Sequence, residues 1–370
     1  MDFRLTDDQR MLQDAARDFM KTEARSDQIT IWYEQKTFHL PAIWEKAAGL
    51  GWLGMRLPEA YGGAGMGAFD CGVVFEELGR GPLPGAYFSS GVLAAEILLA
   101  GAPESLKQRL LPAIGEGSAI VVPALADPSN RFGAESVTTK LEKADAGFVL
   151  EGSKRYVQDG GAATHFLVAA RRDDGRIALA CIARNAPGVS VRHQQGFLIG
   201  ASEVRFERAA VDPADVFGDW NTVDDALTRA LPILGAFITG ALQEISEFTN
   251  AYTSERIVYG QPIGRYQRVQ DNCIEILNHL DATRWITWET LWKLDTGQDA
   301  RAAARQCKAV ASEAYFQGCN QSHMVFAGPG TDYRHPLMAH SVLAHALYPY
   351  LGSPLHNKRA MMDIRFPRKG

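Results

Sequence analysis

Apolar and small residues recur at intervals of three and four near the start of the chain, at Leu5, Leu12, Ala16 and Phe19 with Gln9 in register. Thr6 stands ahead of them as an N-cap, with Asp7 and Asp8 in the first turn, so the spacing predicts a helix. A second helix ends at the Gly49-Leu50-Gly51 break, and a loop follows through Pro58 and Gly62-Gly63. Helical spacing resumes over Phe69 to Leu78, and Gly79, Gly81, Pro82 and Pro84 are read as its stop. From about Ile120 to Phe217 the period becomes two, as in Val137, Thr139, Leu141 and Ile177, Leu179, Cys181. Turn signals at Asp145-Ala146-Gly147 and Asp173-Asp174-Gly175 separate the runs, which predicts an antiparallel β domain. After Asp219 the helical period returns at Leu231, Leu234, Ile238, Leu242 and Ile245, at Val269, Cys273, Ile276 and Leu280, and in the alanine-rich stretch Ala300 to Ala314. The prediction is a mainly α chain with a central β domain: an N-terminal helical domain over 1–119, a β domain over 120–218 and a C-terminal helical bundle, read as four antiparallel helices, over 219–370.

At 370 residues the chain exceeds one typical domain and can bury a core without staples. Hydrophobic residues make up 46% and charged residues 22%, far from the composition of disordered chains. The net charge of -5, with no basic stripe, argues against nucleic acid as a partner, because phosphate binding needs a local cationic excess. Five scattered cysteines without a C-x-x-C pair read as buried thiols in a reducing compartment, and the charged, amphipathic start lacks the apolar run of a signal peptide. The expected location is cytoplasmic. The longest apolar windows, Gly91 to Ala102 and Ala230 to Leu242, are shorter than the roughly 18 residues that span a bilayer and read as core helices.

Gly63-Ala64-Gly65-Met66-Gly67-Ala68 formally satisfies G-x-G-x-x-A, but no strand precedes it and no βαβ unit surrounds it, so it reads as a connector. His335, His340 and His345 are five residues apart, which turns successive side chains about 140° around a helix and disfavours a shared metal. They read as surface or partly buried histidines. The stretch from Ser254 to Gln270 differs in kind. It places Arg256 at the end of one long helix, then a Gly/Pro turn, then Gln267 and Gln270 opening the next helix. A guanidinium beside exposed helix N-terminal N–H groups makes a diphosphate site; a plain polar turn is the alternative.

Several segments together resemble the acyl-CoA dehydrogenases along the whole chain: LTDDQRMLQDAARDF at the start, the PEAYGGAG loop, the EELGRG helix end and the R-x-x-Y-G-Q-P-I-x-x-Y-Q turn. The resemblance implies FAD as cofactor and an acyl-CoA thioester as substrate. In such enzymes a glutamate removes the α-proton as the β-hydride goes to the flavin, and an electron-transfer flavoprotein or similar acceptor follows. It also implies Arg256, Gln267, Gly328 and Gly330 at the ADP end of FAD, with Ala327 and Met324 replacing a usual glycine and glutamine. At the isoalloxazine end it implies Tyr156 and Gln158, where the family commonly has Trp-Ile-Thr-Asn. Ala126 to Phe132 stands in place of Thr-Glu-Pro-Gly-x-Gly-Ser.

The usual base position is occupied by Leu351, in Tyr350-Leu351-Gly352-Ser353, and a leucine cannot accept a proton. The family's alternative position falls near Arg229 and Ala230. Asp224, Asp225 and His356 are the remaining candidates for a base, each read more readily as a surface polar group, while Glu76 and Glu77 are read as facing solvent or capping their helix. Ser353 to His356 resembles small subunits of the pimeloyl-CoA and steroid acyl-CoA dehydrogenase type, which work beside a homologous subunit as heterotetramers. That implies a bulky, steroid-derived or dicarboxylic acyl-CoA and a partner that supplies the glutamate. A non-catalytic scaffold subunit and a homotetramer with an unusual base are the alternatives.

Overall fold

The computed structural model describes residues 4–129, 131–145, 147–194 and 200–367; Ala146, named above, and Asn130, within the 126–132 segment, lie outside them. The chain divides into two compact units, Met1–Lys36 with Ala68–Leu83 and Leu231–Gly370, and Thr37–Gly67 with Pro84–Ala230.

In the first unit, α1 (Asp7–Glu23) starts as its sequence requires: Thr6 accepts from the Gln9 amide at 3.2 Å, and the Gln9 side chain accepts from the Thr6 amide at 3.0 Å. It is followed by α2 (Ser26–Glu34). The next helix of this unit, α4 (Ala68–Arg80), runs past Gly79 instead of stopping there, because that glycine serves packing. A Cβ on Gly79 would lie 1.8 Å from the Phe237 carbonyl oxygen, and one on Gly240 would lie 1.7 Å from that of Glu76. Both partners belong to α7 (Trp220–Glu255) and α4, which therefore cross backbone to backbone. The bundle continues with α8 (Gln267–Asp295), α9 (Arg301–Phe326), α10 (Pro336–Leu347) and α11 (Pro354–Arg365). Its core is built from the predicted α7 positions Leu231, Leu234, Ile238, Leu242 and Ile245 and from alanines and Cys307 of α9. By length and composition α7 could cross a membrane, since it extends well beyond the apolar window read from the sequence; 78% of its most apolar window is buried within the protein.

The second unit holds α3 (Pro41–Gly49), a π-helical turn at Ser89–Ala94, α5 (Ala95–Gly101), α6 (Glu104–Gly115) and an eight-stranded sheet. The strands are β1 (Val121–Ala124), β2 (Lys140–Ala144), β3 (Gly147–Gln158), β4 (His165–Arg172), β5 (Ile177–Ala183), β6 (Val189–His193), β7 (Ala201–Val211) and β8 (Val216–Phe217). They lie in the order β6-β7-β3-β2-β4-β5-β8, with β1 also paired to β4. The expected antiparallel sheet is in fact mixed, because β1 and the start of β2 both run parallel to β4. Ala178 to Ile182 of β5 are buried on both faces, so the alternation seen in the sequence there is not an inside–outside alternation. Asp219 accepts from the amides of Asn221 and Thr222 and so caps the start of α7.

Candidate functional site

The turn after α7 is a short hairpin, β9 (Ile257–Val258) with β10 (Gln261–Pro262), closed by the Ile263 amide donating to the Arg256 carbonyl at 2.9 Å. Arg256 is exposed and forms no ion pair among the described residues. Tyr266 caps α8 without a side-chain acceptor, which leaves the first amides of a 29-residue helix, at Gln267 and Arg268, as orphan donors among the described residues. The rings of Tyr252 and Phe326 stack at 4.3 Å and fasten the last turn of α7 to the last turn of α9. Gly328 and Gly330 follow Phe326, so Arg256, Gln267 and both glycines gather at one end of the bundle. Nothing would meet a Cβ on Gly328, whereas one on Gly330 would lie 2.8 Å from the Phe326 Cβ and 3.3 Å from His323 Nδ1. That Nδ1 is buried and has no hydrogen-bond partner among the described residues; Nε2 of the same ring pairs with Ser341 Oγ at 2.7 Å. Burial, aided by His335 and His345, lowers the His323 pKa and so favours the neutral ring. Ala327 holds φ 54, a left-handed conformation that a glycine would adopt without strain.

Tyr156 and Gln158 stand at the end of β3 in the second unit, both half-buried. Tyr156 has φ 55 and donates its amide to Gln194 Oε1 at 3.0 Å. Next to Gln158, Asp159 carries no distinguishing mark in the sequence, yet it is 8% exposed, and desolvation pushes its carboxyl up to about 7. Asp127, in the segment Ala126 to Phe132, is also hidden. It accepts from Lys154 Nζ at 3.0 Å, Thr139 Oγ1 at 2.5 Å and the Thr138 amide at 2.9 Å. Nothing in local composition marks these contacts, because the partners come from separate segments.

Leu351 is 5% exposed and holds φ 57. Asn357 Nδ2 donates to the carbonyls of Leu351, Gly352 and Ser353 at 3.3, 2.9 and 3.2 Å, and Arg305 Nη1 donates to Asn357 Oδ1 at 3.2 Å. The turn is thus pinned from α9 and α11. Ser353 caps α11 by accepting from the His356 amide at 3.3 Å, and the His356 ring packs over Gly352. Asp225 is exposed and Asp224 half-buried on the first turns of α7. At the alternative position Arg229 Nε donates to Glu96 at 3.0 Å, and Arg56 holds the other oxygen of that buried carboxylate at 3.0 Å.

Three expectations need correction. Glu76 and Glu77 do not face solvent: Glu77 is buried against Arg17 at 2.8 Å, and Glu76 accepts from Trp288 Nε1 at 3.2 Å. His340 is fully buried, with Nδ1 at 3.0 Å from the Tyr315 hydroxyl, and burial lowers its pKa to about 3. Cys273 is only half-buried, unlike the other four thiols. The glycine-rich 63–68 segment is a connector: the Ala68 and Phe69 amides, which an anion would need, donate to Asp295 at 2.6 and 2.9 Å.

Three family models match the chain in succession: the acyl-CoA dehydrogenase N-terminal domain over residues 6–118, the middle domain over 123–209 and the C-terminal domain over 220–353. Benzylmalonyl-CoA dehydrogenase of Aromatoleum aromaticum is 27% identical over 350 residues, covering 91% of this chain and 92% of that protein. Among solved structures, PigA with FAD and proline has a TM-score of 0.90 at 22% identity over 99% of both chains. The ChsE4-ChsE5 complex from Mycobacterium tuberculosis has a TM-score of 0.89 at 23% identity over 100% of both. A helical, β and helical chain of this kind is a flavin-dependent dehydrogenase scaffold. The chain belongs to the acyl-CoA dehydrogenase family, and is an FAD-dependent oxidoreductase acting on CH–CH bonds. The orphan amides, the unpaired guanidinium and the partnerless His323 nitrogen suit the diphosphate end of FAD. At the end of β3, Tyr156 and Gln158 offer an aromatic ring and an amide where the family commonly has Trp-Ile-Thr-Asn. Bound FAD supplies a two-electron acceptor for hydride from the substrate's β carbon.

Proposed function

We propose that this chain is one subunit of a heteromeric acyl-CoA dehydrogenase, an α2β2 assembly that desaturates the α,β bond of a bulky steroid-derived or dicarboxylic acyl-CoA. Leu351 carries the reading. Abstraction of an α-proton needs a carboxylate held partly away from water, and the usual position for it presents a buried aliphatic side chain in a turn locked by Asn357 and Arg305. The alternative position is an arginine already committed to Glu96. A homologous partner therefore supplies the glutamate. This chain contributes Arg256, Gln267, Gly328 and Gly330 to the ADP end of FAD, and Tyr156 and Gln158 to the ring end. Supporting the heteromer, ChsE4-ChsE5 is a complex, and Tcur3481-Tcur3483 is described as a steroid acyl-CoA dehydrogenase. An electron-transfer flavoprotein or similar acceptor would take the electrons. Five free thiols accord with work in the cytoplasm.

Co-expression with a homologous subunit, followed by the visible spectrum and subunit ratio of the purified complex, tests this. The expected result is a colourless chain alone and a yellow one-to-one complex whose flavin is lost in Arg256→Ala. A lone chain that binds stoichiometric flavin and oxidises an acyl-CoA would overturn the division of labour. Unchanged flavin content in Arg256→Ala would favour the scaffold reading.

A further inference from the structure

Three features converge at the end of β3. Tyr156 and Asp159 both hold left-handed backbone, φ 55 and 59, which residues with a Cβ avoid unless their surroundings impose it. The carboxyl group of Asp159 is buried without an ion pair among the described residues: Ser89 Oγ donates to its Oδ2 at 2.6 Å, and Gln158 Nε2 donates to its Oδ1 at 3.5 Å. Ser89 opens the π-helical turn Ser89–Ala94, a widened geometry that recurs at functional positions. Gly200, at φ 70, accepts from the Asp159 amide at 3.0 Å, and a Cβ on it would lie 3.0 Å from Gln158 Nε2. The nitrogen of the Gln158 carboxamide is thus enclosed between the Asp159 carboxyl and a bare Cα.

We propose that Asp159 is a positioning residue that holds Gln158 by its Nε2 and turns the Gln158 carbonyl oxygen outward, so that the site offers the flavin an acceptor and favours dihydroflavin over oxidised flavin. The proposal rests on the reading of the β3 end as the ring end of the FAD site. An amide has one acceptor and one donor side, and anchoring the donor side leaves the oxygen free. Dihydroflavin carries a hydrogen on its central ring nitrogen, which an outward carbonyl accepts; the oxidised ring presents a lone pair there instead. Near neutral pH the Asp159 carboxyl takes up a proton, and an O–H at Oδ2 then donates a hydrogen bond to Ser89 Oγ. Oδ1 remains an acceptor for Gln158 in either state.

The test is the flavin midpoint potential of the FAD-loaded assembly, read by absorbance during stepwise reduction, for the wild type, Gln158→Leu, Asp159→Leu and the double variant. Both single variants are expected to shift the potential to more negative values, and the double variant no further, because Asp159 acts only through Gln158. Asp159→Asn, which keeps an acceptor for Gln158, is expected to retain the wild-type potential. Thermal unfolding of the flavin-free chain controls for folding. Should Asp159→Leu fail to fold, Ser89→Ala is expected to move the potential in the same direction, and not at all in the Gln158→Leu background. Additive shifts, or an unchanged potential in Gln158→Leu, would overturn the inference alone. Flavin content that responds to neither Arg256→Ala nor Gln158→Leu would overturn the underlying reading as well.

Discussion

Two buried lysines show how differently the same residue is accommodated. Lys154 is fully buried against Asp127, whose remaining lone pairs are filled by Thr138 and Thr139; desolvation lowers its ammonium pKa to about 8 and the carboxylate pulls it back up. Lys154→Met would leave that carboxylate buried with only neutral donors, and is expected to cost about 3–5 kcal/mol in urea unfolding. Lys308 is 1% exposed and meets no carboxylate among the described residues, only Ser312 Oγ at 2.5 Å and the last carbonyl of α10, Leu347, at 3.0 Å. Desolvation brings its pKa down to about 7. The unfolded chain, with lysine near 10.5, therefore binds the extra proton between about pH 7 and 10, and this group's contribution makes stability rise across that window. The wild type is expected to gain stability relative to Lys308→Met as pH increases from 7 to 10, by at most about 1.4 kcal/mol per unit. A constant difference between their urea midpoints would refute this. Neither lysine can be told from a surface lysine in the sequence, since what distinguishes them is the company of remote segments.

Between elements, a glycine has two meanings that a linear reading confuses. Gly79 and Gly81 have the spelling of a stop for α4, yet the helix includes Gly79 because its missing Cβ admits the backbone of α7, reciprocally with Gly240 and Glu76. Gly240→Ala places a methyl group 1.7 Å from a carbonyl oxygen on a rigid helix. No flexible side chain can yield there, so the expected loss is at least about 3 kcal/mol, read as a lowered yield of folded protein and a lowered melting temperature. The N-terminus of α1 offers a contrast of scale: its cap is legible from Thr6 and Asp7-Asp8, and Thr6→Ala is expected to cost only about 1 kcal/mol in the same measurement. The sheet's mixed polarity is not legible, because parallel and antiparallel pairing of β1, β2 and β4 depends on connections and not on alternation within a strand.

At the scale of the whole molecule, Ile274, Leu277 and Trp285 are 54, 48 and 51% exposed along a roughly 80° arc of α8. Such an exposed apolar stripe suits contact with another subunit of the proposed assembly. Trp285→Glu is expected to lower the assembly's mass in light scattering at micromolar concentration; an unchanged mass would exclude this stripe from the interface. The order helical, β, helical, the arginine turn at 256–267 and the leucine at 351 are all legible in the sequence, because helical and strand periods and residue identity are properties of the chain itself. What the sequence leaves open is which groups lose water and what they meet. Asp159 becomes a buried carboxyl, Glu77 an ion-paired one and Leu351 a pinned left-handed turn only when distant segments close around them. Desolvation and proximity are set by packing in three dimensions, and a one-dimensional pattern of residues does not contain them.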